Sequence, residues 1–164
     1  MHLIFNPEPG QCQQVAYACM GTPEKSDFLN RHQPCPAPSV ADLARSMQNK
    51  QNIVLSAAAF TDEYDRPAGF FFCGDFFRHH AGQVPHLGFG LSQEFTGHGH
   101  GADLLGRFID ELRRTKLATQ LYGHCYAKNR GACRTMERAR MTGRSIGVQP
   151  YSHGNEVMEY YIKL

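Results

Sequence analysis

Glu94-Phe95-Thr96-Gly97-His98-Gly99-His100-Gly101-Ala102-Asp103-Leu104-Leu105 is the stretch on which the reading of this chain turns. A strand pattern over residues 86–95 runs into three glycines at alternate positions, and an amphipathic helical pattern begins at once. Glycine lacks the Cβ that would cover or forbid such a turn, so consecutive backbone N–H groups can point into one concavity. The helix start adds unpaired N–H donors and the positive end of the macrodipole, about half a charge. Together they make a cradle for a diphosphate that needs no side chain. A P-loop would end in Gly-Lys-Ser/Thr where this chain reads Gly101-Ala102-Asp103, and a dinucleotide turn would have G-x-G-x-x-G spacing after the first strand of a βαβ unit. Both fit poorly, and an ordinary strand-to-helix turn is the plain alternative for the isolated segment.

Downstream of the turn, Leu104, Leu105, Phe108, Ile109 and Leu112 form a wide apolar stripe opposite Arg107, Asp110, Glu111 and Arg114, the pattern of a helix lying on a core. Residues 121–127 read as a strand and residues 130–141 as a helix with Ala132, Cys133, Met136 and Ala139 inward, ended by Gly143. Residues 156–164 read as a closing strand. Upstream, residues 52–61 and 68–77 read as an antiparallel hairpin joined by a turn at 62–67. The glycines within 86–95 suggest a bulge there. Ser39 caps a helix whose stripe is Val40, Leu43, Ala44 and Met47. Residues 1–5 suit a short strand, and residues 9–20 a helix with Val15, Ala16 and Cys19 on one face. The proline-rich run 22–38 and residues 78–85 read as loops. There is no repeat and no second core, so residues 1–164 are expected to form a single domain.

The composition agrees with a globular chain: 41% hydrophobic and 20% charged residues in 164. No stretch reaches the ~18 apolar residues of a membrane span. The N-terminus lacks the basic start and apolar run of a signal peptide, so a cytoplasmic location is expected, with the six cysteines reduced and acting mainly as small buried hydrophobes. The net charge of +2 hides an asymmetry, because residues 107–144 hold ten Lys/Arg against three acids. Such a local field suits a phosphorylated ligand or an RNA backbone, or else a solvated helix surface.

The turn resembles the acyl-coenzyme motif of the GNAT (N-acetyltransferase) superfamily, Gln/Arg-x-x-Gly-x-Gly/Ala followed by a helix with a Leu-Leu pair. Gly99 and Gly101 stand at its small positions, His98 and His100 at its variable ones, and Leu104-Leu105 at the pair; Thr96 replaces the leading Gln/Arg. Asn129 followed by Ala132 is similar to the family's second signature, beside the pantetheine arm. Where many members carry a tyrosine general acid this chain has Met136, and where they close the helix with Gly-Phe it has Arg140 and Met141. The resemblance covers residues 52–164. It implies an α/β (α+β) fold with a mixed, mostly antiparallel central sheet flanked by helices and opened into a V-shaped cleft. It also implies acetyl-CoA as co-substrate, held by Leu91, Gln93, Thr96, Gly97, His98, Gly99, His100, Gly101, Ala102, Asn129, Ala132 and Arg134. The family often forms dimers, so a homodimer is a further expectation.

The implied reaction is direct transfer of an acetyl group to an amine of a small molecule or a peptide. It needs a donor for the carbonyl, which a splayed strand offers near Leu91–Gln93, and a base suited to neutral pH. Glu94 is the first candidate base, with His124 and Tyr126 on the facing strand as further acid, base or substrate contacts. Ser92 is a weaker candidate. Each has an ordinary structural alternative: a solvated carboxylate, or core aromatics. Arg107, Arg130 and Arg134 are candidates for the coenzyme's phosphates. His79-His80 and His98/His100 are the histidine pairs that could bind a metal, but no metal is expected, since neither H-E-x-x-H nor regular Cys/His spacing occurs. The competing functions are a catalytically silent acyl-CoA-binding or regulatory module, and acylation of an RNA-linked amine by way of the basic helices.

Overall fold

The computed structural model describes residues 1–26, 39–49, 51–74 and 85–164. Its elements in chain order are β1 (His2–Phe5), α1 (Pro9–Met20), α2 (Val40–Gln48), β2 (Ile53–Phe60), β3 (Pro67–Gly74), β4 (His86–Leu91), a 3-10 turn (Gln93–Phe95), α3 (His100–Thr115), β5 (Gln120–Tyr126), α4 (Arg130–Arg138), β6 (Thr142–Val148) and β7 (Glu156–Lys163). The strands form one sheet in the order β1-β2-β3-β4-β5-β7-β6, antiparallel throughout except between β4 and β5. The mixed, mostly antiparallel sheet flanked by helices is the expected fold.

Alternation sorts the side chains of each strand between two cores. Leu55, Ala57, Ala59, Phe71 and Cys73 face α3 and α4, whereas Ala58, Phe60 and Phe70 face α1 and α2. The stripe read from α3 is fully buried, with Phe108 stacked against Phe5 and tilted on Phe71 at centroid distances of 6.4 and 5.9 Å. α1 starts at Pro9, where the Glu8 amide donates to the Gln11 side chain at 2.9 Å. α2 is capped by Ser39, whose hydroxyl accepts from the Asp42 amide at 3.1 Å, as its sequence predicts. Among the described residues, Cys12, Cys19, Cys73, Cys125 and Cys133 are free and buried, and burial pushes the Cys19 and Cys73 thiols up to about 12. No described helix is long and apolar enough to cross a membrane.

Several boundaries differ from the sequence reading. The strand expected over 86–95 stops at Leu91, and Gln93–Phe95 turns into a 3-10 helix. No bulge interrupts β4, which pairs with β3 in continuous register. Its glycines make room for rings instead: a Cβ on Gly88 would lie 2.3 Å from Phe72, and one on Gly90 would lie 2.8 Å from Phe70. The helix expected over 130–141 ends at Arg138, and Gly143 does not end it. Arg140, with φ 64°, takes the left-handed position, and the Met141 amide bonds back to the Met136 carbonyl at 3.0 Å while Arg140 bonds to Glu137 at 2.9 Å. This is a Schellman closure with buried Met136 and Met141 in hydrophobic contact, and an arginine stands where glycine would save about 1 kcal/mol.

Gly143 instead lies inside β6, a strand the sequence reading missed, under the Tyr160 ring. β6 is a sheet edge rich in Gly, Ser and Thr and shows no apolar alternation to read. The second hairpin strand ends at Gly74, and its expected extension through 77 lies outside the described residues, as do residues 78–84 of the second loop and 27–38 of the first. Residues 23–26 of that first loop form a helical turn. Because Phe108 is fully buried between the sheet and α3, Phe108→Ala should destabilise the domain by about 3–5 kcal/mol in urea denaturation; a loss under about 1 kcal/mol would contradict this packing.

Candidate functional site

β4 and β5 run parallel for only two rungs, His86–Tyr122 and Leu87–Gly123. Beyond them β4 continues against β3 as far as Leu91, and β5 against β7 as far as Tyr126, so the strands part and a V opens. At its apex Gly123 admits α4, since a Cβ there would lie 2.8 Å from the Met136 sulfur. The Ser92 amide donates to the Ala68 carbonyl at 2.8 Å. By the alternation of an antiparallel ladder, Gly88, Gly90 and Ser92 therefore bond toward β3, and the Phe89 and Leu91 amides are aimed at the β5 side, where the rungs have ended. Gln93 stands apart from them in the 3-10 turn, where its carbonyl accepts from both the Thr96 amide at 3.2 Å and the Thr96 hydroxyl at 2.8 Å.

The glycine stretch follows at the mouth of the V. Gly97 and Gly99 have φ of 82° and 85°, conformations that side chains rarely adopt. A Cβ at Gly97 would meet nothing within 4 Å, and one at Gly99 would meet only the Arg138 guanidinium at 3.9 Å. The backbone is thus bare on its outer side. Gly101 answers to packing: its Cβ would press on the Thr135 hydroxyl at 3.2 Å and on Leu91 at 3.4 Å. The first backbone bond of α3 runs from the Ala102 amide to the Gly99 carbonyl at 3.2 Å, so the preceding amides stand ahead of the helix ladder. A cradle of this shape suits a diphosphate. Arg138, one helical turn beyond Arg134, is the arginine beside it.

Other residues singled out by sequence take different places. Asn129 caps α4, its side-chain oxygen accepting from the Ala132 amide at 3.1 Å, which explains why a helix-capping Asn and a small residue are spaced by three. Glu94 is exposed on the 3-10 turn and paired with Arg66 at 3.4 Å, while the Arg66 guanidinium lies over the Phe95 ring at 5.5 Å. This group clamps the β2–β3 turn. His98 and His100 are exposed, with rings 6.2 Å apart. Among the described residues no three His, Cys, Asp or Glu side chains gather as metal ligands; His79 and His80 lie outside them. Tyr126 is buried, with the Lys128 ammonium over its ring at 5.3 Å.

His124 belongs to a polar row that crosses the sheet on the face opposite α4. Its ring stacks on His86 at 5.5 Å, and its Nε2 lies 3.2 Å from Glu159, whose other oxygen binds Arg144 at 2.6 Å. Sequence reasoning missed His86, Glu159 and Arg144, because only the strand order β5-β7-β6 brings them together. On the other face the Cys125 and Cys133 sulfurs approach to 3.6 Å, and burial together with Cys133 pushes the Cys125 thiol up, keeping it protonated.

No protein-family model matches the chain, and no curated protein matches it in sequence. Solved structures match over nearly the whole length. A ribosomal L7/L12 alpha-N-protein acetyltransferase in complex with coenzyme A is 12% identical with a TM-score of 0.73, over 96% of this chain and 91% of that one. The ribosomal-protein-S5-alanine acetyltransferase from Vibrio fischeri is 10% identical with a TM-score of 0.73, over 99% and 93%. The microcin C7 self immunity acetyltransferase in complex with acetyl-CoA and AMP is 13% identical with a TM-score of 0.72, over 99% and 92%. The fold is that of the GNAT acetyltransferases.

Burial alone would raise the Glu159 carboxyl, but hydrogen bonds from Arg144 and His124 outweigh it and hold the group below its ordinary value. A depressed folded value means stability that is complete above the unfolded value of about 4.3 and is lost as pH falls through the lower folded one. Glu159→Gln should therefore be less stable than the parent at neutral pH, with the gap closing in acid, as measured by urea melts across the acid range. A gap independent of pH would contradict the pairing.

Proposed function

We propose that this chain is an acetyl-CoA-dependent N-acyltransferase that passes an acetyl group directly to an amine. The observation that carries this reading is the bare, positive-φ backbone of Gly97 and Gly99 at the mouth of the V, closed from behind by the packing of Gly101 on Thr135 and Leu91. Amides ahead of a helix ladder, with a guanidinium beside them, suit the coenzyme's diphosphate. The pantetheine arm would then run between β4 and β5 toward Gly123 and Met136. When bound, the coenzyme supplies an activated thioester.

The chain's own groups suit the rest of the work. The Leu91 and Phe89 amides, aimed into the V, are placed to donate to the carbonyl oxygen as charge develops there. The acceptor amine enters from the face opposite α4, where His124 takes its proton as the C–N bond forms and the C–S bond breaks; coenzyme A leaves as the thiolate, and the proton lost by the amine returns through solvent to give the thiol. Glu159, fixed by Arg144, acts as a positioning residue that orients the His124 ring. We favour His124 over Glu94 for this role because Glu159 and Arg144 hold the His124 ring in place, whereas Glu94 lies exposed on the 3-10 turn, paired with Arg66 at 3.4 Å. A covalent route through cysteine is disfavoured by the raised Cys125 thiol. The acceptors named for the similar structures include ribosomal proteins, so the class carried over is an amine and no finer.

The test is calorimetric titration with coenzyme A, followed by thiol release from acetyl-CoA over a panel of peptide and small amines. Coenzyme A should bind in the micromolar range, and His124→Gln should lower turnover by about 100-fold at unchanged coenzyme affinity. Failure to bind at millimolar coenzyme would overturn the reading. Binding with no turnover for any amine would favour a silent acyl-CoA-binding module, for which Met136 in place of a hydroxyl at the apex is the supporting observation.

A further inference from the structure

Lys128 places an amine of the chain itself at the lip of the V. β5 ends at Tyr126, and a short turn leads from it into α4 at Arg130. The Ala127 amide donates to the Glu156 carbonyl at 2.9 Å, the Asn129 amide to the Tyr126 carbonyl at 2.8 Å and the Arg130 amide to the Lys128 carbonyl at 2.9 Å. The backbone under Lys128 is thereby held, while the residue itself is exposed. Its ammonium has no ion pair among the described residues and rests over the Tyr126 ring, 5.3 Å from the centroid.

That position lies on the side where the proposed chemistry takes place. Tyr126 and His124 are two residues apart in an unbroken register, opposite Val157 and Glu159. Alternation puts their side chains on one face of the sheet, about 7 Å apart along the strand. The ammonium therefore stands on the face opposite α4, at the open end of β5, one strand repeat from His124. A flexible four-carbon stem covers that swing. Lys163 lies opposite Gln120 at the far end of β5, Lys116 caps the end of α3 before that same far end, and Lys25 follows α1. The charge around Lys128 also favours its neutralisation. Lys128 and Arg130 flank the Asn129 cap, and no acid stands in the first turn of α4. Both cations sit at the positive end of the helix dipole, where positive charge is disfavoured, and converting the ammonium to an amide removes one of them.

We infer that Lys128 is an acetylation site, modified by the active centre of its own molecule. The inference rests on the reading of the V as the site of acetyl transfer from acetyl-CoA. The ammonium first gives one proton to solvent. The free amine then forms the C–N bond as the thioester C–S bond breaks, and it passes a second proton to His124. Coenzyme A leaves as the thiolate, and that second proton returns through solvent to give the thiol. Because the amine is tethered beside the thioester, the step is unimolecular in protein.

Incubation of the full chain with acetyl-CoA and no added acceptor, read by intact mass and peptide mapping, tests it. One acetyl group should accumulate per chain, at Lys128, with a rate constant unchanged over an about 10-fold range of protein concentration. His124→Gln should slow the modification about 100-fold, and Lys128→Arg, which keeps the charge, should leave the chain unmodified on the same timescale. Acetyl groups spread over several lysines at the rate seen in His124→Gln, a dominant site at Lys25, or a rate constant that rises with protein concentration would overturn the inference. An unmodified chain that binds coenzyme A and acetylates added amines would also overturn it and leave the acyltransferase reading standing. A chain that binds no coenzyme A would overturn both.

Discussion

The two-rung contact between β4 and β5 is the constraint on which the remainder of the structure depends. A parallel ladder carried to Leu91 would leave one continuous sheet and no cleft. Stopping it after Leu87 and Gly123 frees the Phe89 and Leu91 amides on one side and leaves the backbone of β5 from His124 onward unpaired with β4 on the other. The same divergence sends the chain out through the 3-10 turn, with Thr96 tying its own hydroxyl to Gln93, so that the glycine stretch and the start of α3 stand at the opening. α4 then closes the back of the turn through Thr135 against Gly101 and fills the apex with Met136 against Gly123. A Cβ at Gly123 would displace the end of the Met136 side chain, and one at Gly101 would press on Thr135 and Leu91.

The arrangement divides the chemistry between two faces. The α3 and α4 face offers backbone donors and uncommitted arginines, which suit phosphate. The opposite face carries the row His86, His124, Glu159 and Arg144, in which each member braces the next across neighbouring strands. On the proposed reading the two reactants meet at the gap from opposite sides, and the protein's contribution is position and oriented dipoles more than a reactive side chain of its own. The buried thiols between β5 and α4 fit that view, since burial raises Cys125 and keeps it unreactive.

Much of this was legible in the chain. α1, the Ser39 cap, the α3 stripe and the glycine turn are local patterns, and local hydrogen bonding and periodicity decide them. What escaped sequence reading depends on contacts between distant segments. β6 escaped because an edge strand needs no apolar face. The stop at Arg140 escaped because tertiary context holds an arginine in a glycine conformation. Gly88 and Gly90 suggested a bulge because nothing local reveals that Phe72 and Phe70 lie across them. Asn129 was legible as a motif but not as a cap, and Glu94 was placed on a strand that in fact ends at Leu91. The partners of His124 became visible only once β7 lay between β5 and β6.

The central claim is that the backbone amides of Gly97, Gly99 and Gly101 hold the diphosphate, and amide chemical shifts report on those atoms directly. In a titration of ¹⁵N-labelled protein with coenzyme A, the account predicts that these three resonances move together and saturate at one equivalent. Saturating coenzyme that shifts amides elsewhere and leaves these three in place would contradict it.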